Sequence, residues 1–237
     1  MRAQVLGYLL GGHDTTATLL AWWTKYMMRY QDVQARLRQA LREAHPNASL
    51  EGRPPTMAEI SSASVPYLDA VLEETLRCAS VATLIVRKAT CDTEIHGYHI
   101  PKGTDVVIPL TGPSLTEPAL EVSHSSREKA EGSARVSAWS DDDIEQYKPE
   151  RWLRTETDAL GQTAVVFDAQ AGPNLAFSTG PRQCFGKKQA LLQIKTTVSL
   201  LLWEFQFEPV EGSLGGWEIQ ERLVNLPKHC YVKLSKA

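Results

Sequence analysis

The stretch FSTGPRQCFG, which runs from Phe177 to Gly186, precedes an apolar segment with helical periodicity that ends near Trp203. Gly180 and the proline after it favour a tight turn, so Cys184 falls at the N-terminal end of the predicted helix. Unpaired backbone N–H groups and the positive end of the helix dipole both favour a thiolate at that place. The alternative for a lone cysteine in such a loop is a buried structural side chain.

Two neighbours of Cys184 make the thiolate hypothesis more specific. Gly186 lets the backbone pass close to a flat group, and Arg182 places a fixed cation beside the site. A thiolate with amide donors around its sulfur is the strongly electron-donating ligand that a haem iron needs. The loop therefore predicts a haem-iron ligand at Cys184.

A second polar motif, GGHDTT from Gly11 to Thr16, interrupts the first predicted helix, which spans Val5 to Arg29. Two glycines in a helix interior each lower the stability of the helix by about 1 kcal/mol relative to alanine, so another requirement must account for their presence. The Thr15 hydroxyl can bond back to the carbonyl of residue 11 and bend the helix, which leaves space beside a haem for dioxygen and a water. Asp14 and Thr15 are then candidate catalytic residues that relay protons. The alternative is a glycine pair used for helix packing.

A later predicted helix carries Glu74 and Arg77, which lie on neighbouring turns and can form an ion pair. Glu73 could equally pair with Arg77 at i, i+4 spacing, and an exposed surface pair is the simplest alternative. If the pair were buried, it would be costly unless every charge were paired, so it would be structural and intolerant of change.

Composition excludes several classes of protein. The chain has 25 Lys plus Arg and 28 Asp plus Glu, and the resulting net charge of −3 argues against a nucleic-acid partner. Hydrophobic residues make up 43% and charged residues 22%, which excludes wholesale disorder. The six histidines show no metal-ligand spacing, and no C-x-x-C, nucleophile elbow or phosphate loop is present. Cys78, Cys91 and Cys230 are interpreted as small core residues.

The periodicity predicts a mainly α fold with a small antiparallel β portion. Helical patterns dominate up to Ala79 and return after Gly186, and short strands separated by Gly and Pro turns lie between them and at the C-terminus. The segment 121–137 is rich in serine and charged residues, and it is predicted to be a mobile loop insert.

Four patterns together resemble the cytochrome P-450 family of haem-thiolate monooxygenases. The loop pattern F-x-x-G-x-R-x-C-x-G resembles the family's haem-binding signature, and residues 11–16 match [AG]-G-x-[DE]-T-[TS]. The other two, E-x-x-R at Glu74 and P-E-R-[FW] at Arg151, follow in the order that the family requires. The segment Pro109–Gly112 and the serine-rich insert before Trp139 are most similar to fungal members, which often tailor secondary metabolites.

The resemblance implies a role for each site residue. Cys184 would be the axial ligand of haem b, and Phe177 and Gly186 would contact the haem. Arg87 and Arg182 would each pair with a haem propionate, as guanidinium chemistry favours. For Arg87 the alternative is an exposed charge at the end of a strand.

The resemblance also implies the activity, the partners and a bracing cluster. Glu74, Arg77 and Arg151 would brace the haem-binding loop. The chain would insert one atom of dioxygen into a small organic substrate and reduce the other to water. Electrons would come from NADPH through a flavin reductase, which would dock on a basic patch of Arg182, Lys187 and Lys188.

The length departs from the family pattern. Family members are roughly twice as long, so the chain is expected to be the C-terminal half of the fold, a partial domain over 1–237 that begins at the oxygen-activating helix. The alternative is a truncated, non-catalytic remnant or partner-binding fragment. Missing segments would leave a set of apolar residues of the first helix exposed, namely Leu6, Leu9, Leu20, Trp22 and Trp23.

The family implies a location on the cytoplasmic side of the endoplasmic reticulum. The chain shows no membrane anchor and no clear signal peptide, so a soluble cytoplasmic protein is the alternative.

Overall fold

The protein's structure is a computed structural model that describes residues 2–95, 97–118, 138–221 and 224–237. Within these residues the chain folds into six α-helices and five two-stranded antiparallel sheets, which confirms the predicted fold class. The insert predicted to be a mobile loop at 121–137 lies outside the described residues.

The helices hold more of the described residues than the strands do. Their bounds are α1 Arg2–Arg29, α2 Gln31–Ala44, α3 Pro46–Leu50, α4 Met57–Ser62, α5 Pro66–Ala79 and α6 Lys187–Glu204. The sequence patterns predicted α1, α2, α5 and α6 to within a few residues. They missed α3 and α4, although Thr56 and Glu59 form a capping box at the start of α4 that the T-x-x-E pattern could have indicated.

The ten strands found among the described residues are short. Their bounds are β1 Leu84–Lys88, β2 Thr93–Ile95, β3 Tyr98–Ile100, β4 Asp105–Pro109, β5 Leu153–Thr157, β6 Thr163–Phe167, β7 Phe205–Glu208, β8 Ile219–Glu221, β9 Asn225–Pro227 and β10 Lys233–Lys236. β1 pairs with β4, β2 with β3, β5 with β6, β7 with β10 and β8 with β9. The β5–β6 hairpin was not predicted, and it turns at Gly161, whose φ of +77° favours glycine.

The hydrophobic core lies around the C-terminal half of α1. α1 contacts α2, α5, α6 and strands β7 and β9, so this half of the helix is enclosed on several sides. Trp23 is fully buried and meets the Phe207 ring edge-on at 5.3 Å between centroids. The Trp22 indole donates a hydrogen bond to the Asn225 carbonyl at 2.7 Å, so the polar atom of Trp22 is satisfied.

The expectation that α1 would expose its aromatic side chains is therefore wrong for its second half. Trp22 and Trp23 are 3% and 0% exposed, because the later helices and strands of this same chain cover them. Leu20 is half-buried, and Leu9 is 64% exposed as expected. The side chain of Leu6 lies outside the described part of the chain.

None of the helices among the described residues is long and apolar enough to cross a membrane.

A second, smaller core forms where Trp139 packs against Trp152. Their rings meet edge-on at 4.8 Å, and the Trp139 indole donates a hydrogen bond to the Pro173 carbonyl at 3.1 Å. Gly172 lies directly against this indole, because a Cβ added there would come within 2.4 Å of the ring. The contact sets the path of the chain as it approaches the Cys184 loop.

We expect Gly172→Ala to lower the free energy of unfolding by about 2 kcal/mol, because the fixed Trp139 ring cannot yield to the added methyl group. Gly7→Ala is the matched control, since no described atom lies within 4 Å of an added Cβ there and alanine is the better helix former by up to about 1 kcal/mol. Urea unfolding of both variants measures the difference. A Gly172→Ala variant as stable as the original chain would contradict the assigned packing.

Candidate active site

The loop before α6 presents Cys184 to solvent. Gly180 has a φ of +69° and opens a 3₁₀ turn that ends at Arg182. The Cys184 amide then donates to the Phe177 carbonyl at 2.8 Å, which closes the loop. The Cys184 side chain is exposed and lies just before the first turn of α6, where helical N–H groups lack partners. The structural alternative of a buried cysteine therefore does not apply to this residue.

The GGHDTT motif lies within the N-terminal half of α1. The Thr15 hydroxyl donates to the Gly11 carbonyl at 2.6 Å, as the sequence predicted. A Cβ added at Gly11 or Gly12 would meet no described atom within 4 Å, so helix packing does not explain the two glycines. Asp14 is exposed, and its carboxylate accepts from the His13 imidazole at 2.9 Å.

The fold brings the two motifs to opposite sides of one cavity of about 380 Å³. On the α1 side it is lined by Gly7, Tyr8, Gly11, Gly12, Thr15 and Thr16, and on the other side by Phe177, Cys184, Phe185, Gly186, Gln189, Ala190 and Gln193. Asp14 is outside this set. The Tyr8 and Phe185 rings approach each other to 5.8 Å between centroids at one edge, and sequence analysis missed both. The cavity has glycines on one wall and a thiol on the other.

The two arginines expected to hold anionic groups lie near this loop. Arg87 is the fourth of the five residues of β1, where it is half-buried, and its guanidinium contacts the Ser178 hydroxyl at 3.3 Å. It lies near the end of the strand, but it is not a fully exposed charge. Arg182 is exposed on the 3₁₀ turn.

Glu74, Arg77 and Arg151 meet in one buried cluster. Arg77 binds Glu74 through two hydrogen bonds of 2.8 Å, and Arg151 reaches the same carboxylate at 3.0 Å. The carboxylate also accepts from the Lys148 amide at 2.8 Å and from the Trp152 indole at 2.9 Å. Glu74 is fully buried, so a surface ion pair is excluded.

Arg77 is held on its other side by backbone carbonyls. It donates to the carbonyls of Leu115, Ile144 and Gln146 at 2.7 to 2.9 Å. Burial is the largest single influence and by itself lowers the pKa of Arg77, but the Glu74 hydrogen bonds and the charges of nearby acidic groups together leave that pKa above its ordinary value. The cation therefore stays charged and joins α5 to two separate loops.

The sequence of this chain is similar to those of known proteins. The family model described as "Cytochrome P450" matches residues 1–115 and 138–234. The chain belongs to the cytochrome P450 family. Two fungal P450s are similar over nearly all of it: the monooxygenase TRI13 of Fusarium sporotrichioides, at 42% identity over 100% of this chain and 42% of its own length, and the Hps1-dma1 cluster monooxygenase cyp3.1 of Dothistroma septosporum, at 40% identity over 99% and 78%.

The fold is that of a P450 as well. The crystal structure of a cytochrome P450 (CYP102L1) superposes with a TM-score of 0.71 at 23% identity, over 99% of this chain and 45% of the other. The chain thus spans less than half the length of that P450 and of TRI13.

The cavity of this P450 chain fits the haem that the family implies. Its walls are mostly apolar, a side chain larger than glycine at position 11 or 12 would project into it, and the Cys184 thiol borders it. Among the cavity-lining side chains, the Cys184 thiol is the candidate ligand for the haem iron.

The remaining cysteines differ from expectation. Cys78 is half-buried beside Arg77, and burial raises the pKa of its thiol to about 12, so it stays neutral. Cys91 and Cys230 are exposed, because Cys91 lies in the turn before β2 and Cys230 in the approach to β10. The prediction that all three are core residues is wrong for Cys91 and Cys230.

Asp143 extends the buried cluster of this P450 chain towards solvent and was not singled out in the sequence. It accepts from the Lys148 ammonium at 2.8 Å and from the Arg151 guanidinium at 3.0 Å. These two contacts hold the pKa of Asp143 below its ordinary value of 3.8. The run of three aspartates shortly before PERW was the signal that could have found it.

We expect Asp143→Asn to destabilise the chain by about 1.5 kcal/mol at pH 7, since charge-assisted hydrogen bonds are lost. Because the pKa is lower in the folded state, the carboxylate stabilises the fold above about pH 4 and loses this effect as the pH falls through the folded-state value. The difference between variant and original should therefore shrink as the pH is lowered below about 4. Unfolding measured against pH, with exposed Asp142→Asn as the control, checks this; a difference that does not change with pH would contradict it.

Proposed function

We propose that the chain is the haem-binding half of a monooxygenase that oxidises a small organic molecule with dioxygen, in fungal secondary metabolism. The observation that carries the proposal is the shared cavity, which Thr15 borders from α1 and Cys184 from the loop before α6. A haem bound there would supply the oxygen-activating iron. The name of one relative, which places it in the Hps1-dma1 cluster, supports a role in a biosynthetic gene cluster.

The chain's own residues have distinct tasks in this proposal. Cys184 would ligate the iron from the loop, where Phe177 and Gly186 give the haem an apolar and closely fitting surface. Arg87 and Arg182 would hold the two propionates by charge-assisted hydrogen bonds. On the other wall, the Thr15 hydroxyl already bonds to the backbone and can hold or pass a proton.

Asp14 would deliver protons to Thr15 from solvent. The two are neighbours on α1, and Asp14 is exposed beside His13 and so can exchange protons with water. Asp14 lies outside the cavity lining, which is the arrangement that a relay from solvent requires.

Electron supply would come from an NADPH-dependent flavin reductase. Arg182 and Lys188 are exposed near the loop and could meet an acidic docking face. Lys187 is half-buried, with its ammonium 5.4 Å from the centre of the Phe177 ring, so the docking patch would rest mainly on the other two cations. The cytoplasmic face of the endoplasmic reticulum is the location that such a partner implies.

We expect Cys184→Ala to abolish thiolate ligation of haem. The purified chain is loaded with haem, reduced and exposed to carbon monoxide, and the original chain should show the red-shifted Soret band of a thiolate-ligated iron. Cys91→Ala is the matched control, because Cys91 is also exposed but lies on a different loop. A red-shifted band that survives in Cys184→Ala, or that is absent from the original chain, would falsify the ligand assignment.

The second candidate is a non-catalytic remnant or partner-binding fragment. It is favoured by the open edge of the cavity, where Tyr8 and Phe185 are 67% and 90% exposed. A pocket open to water positions a substrate poorly and does not exclude side reactions.

We expect these 237 residues alone to consume reductant without coupled product formation, because water reaches the cavity through this open edge. The chain is supplied with haem, reductase and NADPH, and peroxide and oxidised product are both quantified. Peroxide should account for most of the NADPH consumed. Tightly coupled oxidation of an organic substrate would exclude the remnant hypothesis and show that the described cavity suffices.

A further inference from the structure

Glu73 is the neighbour of the buried Glu74 on α5, and the sequence left open whether it pairs with Arg77. In the structure Arg77 bonds to Glu74, and the Glu73 carboxylate instead accepts a hydrogen bond from the Asn174 side-chain amide at 2.7 Å. Successive helical residues point about 100° apart, so the two glutamates face different parts of the molecule. Glu73 therefore faces the segment that leads into the Cys184 loop.

The Asn174 side chain connects Glu73 to the loop that carries Cys184. Its side-chain carbonyl accepts from the Ala176 amide at 3.0 Å, and the next turn closes where the Ser178 amide donates to the Leu175 carbonyl at 2.7 Å. These two turns fix the backbone at residue 177, whose carbonyl receives the Cys184 amide. Hydrogen bonds, together with the short stretches of backbone between them, thus join α5 to the backbone of Cys184.

The charges around Glu73 act on both ends of the loop. Burial raises the pKa of Glu73, the nearby cations Lys187 and Lys195 lower it, and the like charge of Asp69 raises it again, with the net result above the ordinary value. Asp69 is itself paired with Lys195. Lys187 is the first residue of α6, so the carboxylate contacts the segment before the loop and attracts the residue just after it.

We propose that Glu73 is a positioning residue that holds the Cys184 loop in its iron-ligating conformation through Asn174. The term iron-ligating rests on the proposed function, whereas the tether itself concerns only the fold of this loop. The geometry separates this role from that of Glu74, whose hydrogen bonds run to α5 itself and to residues 148–152.

Amide hydrogen exchange of the 237-residue chain without haem tests the tether. We expect Glu73→Ala and Asn174→Ala each to speed exchange in the peptide that covers residues 177–186 by about tenfold or more, since a hydrogen bond to a charged group is lost. Exchange in α2 should stay unchanged. The double variant should exchange no faster than Asn174→Ala, because Asn174→Ala already removes the bond to Glu73 together with the bond to Ala176.

Two further variants keep the test decisive if Glu73→Ala does not fold. Glu73→Gln retains a carbonyl oxygen that can accept from Asn174, so it should restore most of the protection. Glu94→Ala removes an exposed glutamate on β2 and serves as the control. Unchanged loop exchange in Asn174→Ala, a uniform increase over the whole chain, or additive effects in the double variant would overturn the proposal.

Haem loading separates this inference from the proposed function. In the carbon monoxide assay, Glu73→Ala should give a smaller share of thiolate-type Soret band than the original chain, and Glu73→Gln should recover it. If the original chain binds no haem, the proposed function fails, while the exchange result still decides whether Glu73 tethers the loop.

Discussion

The fold depends on a single buried carboxylate. Glu74 accepts N–H groups from two arginines, a backbone amide and an indole, and all of its partners except Arg77 lie in residues 148–152. Burying a charge without partners costs several kcal/mol, so this arrangement stabilises the fold only when it is complete. Removing one partner would leave an uncompensated charge in the protein interior. We therefore expect the loss of any one partner to destabilise the whole cluster.

α5 becomes a rigid support for the cavity because of this cluster. The residues after it lead into β1, where Arg87 reaches the Ser178 hydroxyl of the Cys184 loop. The residues before the loop are fixed against Trp139, and that ring lies 5.2 Å from the Arg151 guanidinium. The loop is therefore held on several sides by groups that themselves depend on Glu74. Position, more than any property of the thiol alone, distinguishes Cys184 from the three other cysteines.

Sequence patterns predicted the features that depend only on residues close together in the chain. The Thr15 to Gly11 hydrogen bond and the bounds of the long helices follow from spacing along one helix. The partner of Glu73 could not be predicted, because Asn174 lies 101 residues away and two acceptors on α5 competed for the same arginine. The burial of Trp22 also depends on distant chain, since Asn225 and the C-terminal strands cover it. Patterns of residue type carry no information on which distant surfaces meet.

The two halves of α1 play separate physical roles. Its C-terminal half is buried among helices and strands of the same chain, whereas Tyr8 and Leu9 near its N-terminus are more than 60% exposed and border or adjoin the cavity. The main core therefore lies within the described residues, and the cavity lies outside it. Opening the cavity to water thus need not expose this core. In the proposed function, haem binding would depend on the order of the Cys184 loop, and coupled oxidation of a substrate would depend on what covers the exposed half of α1.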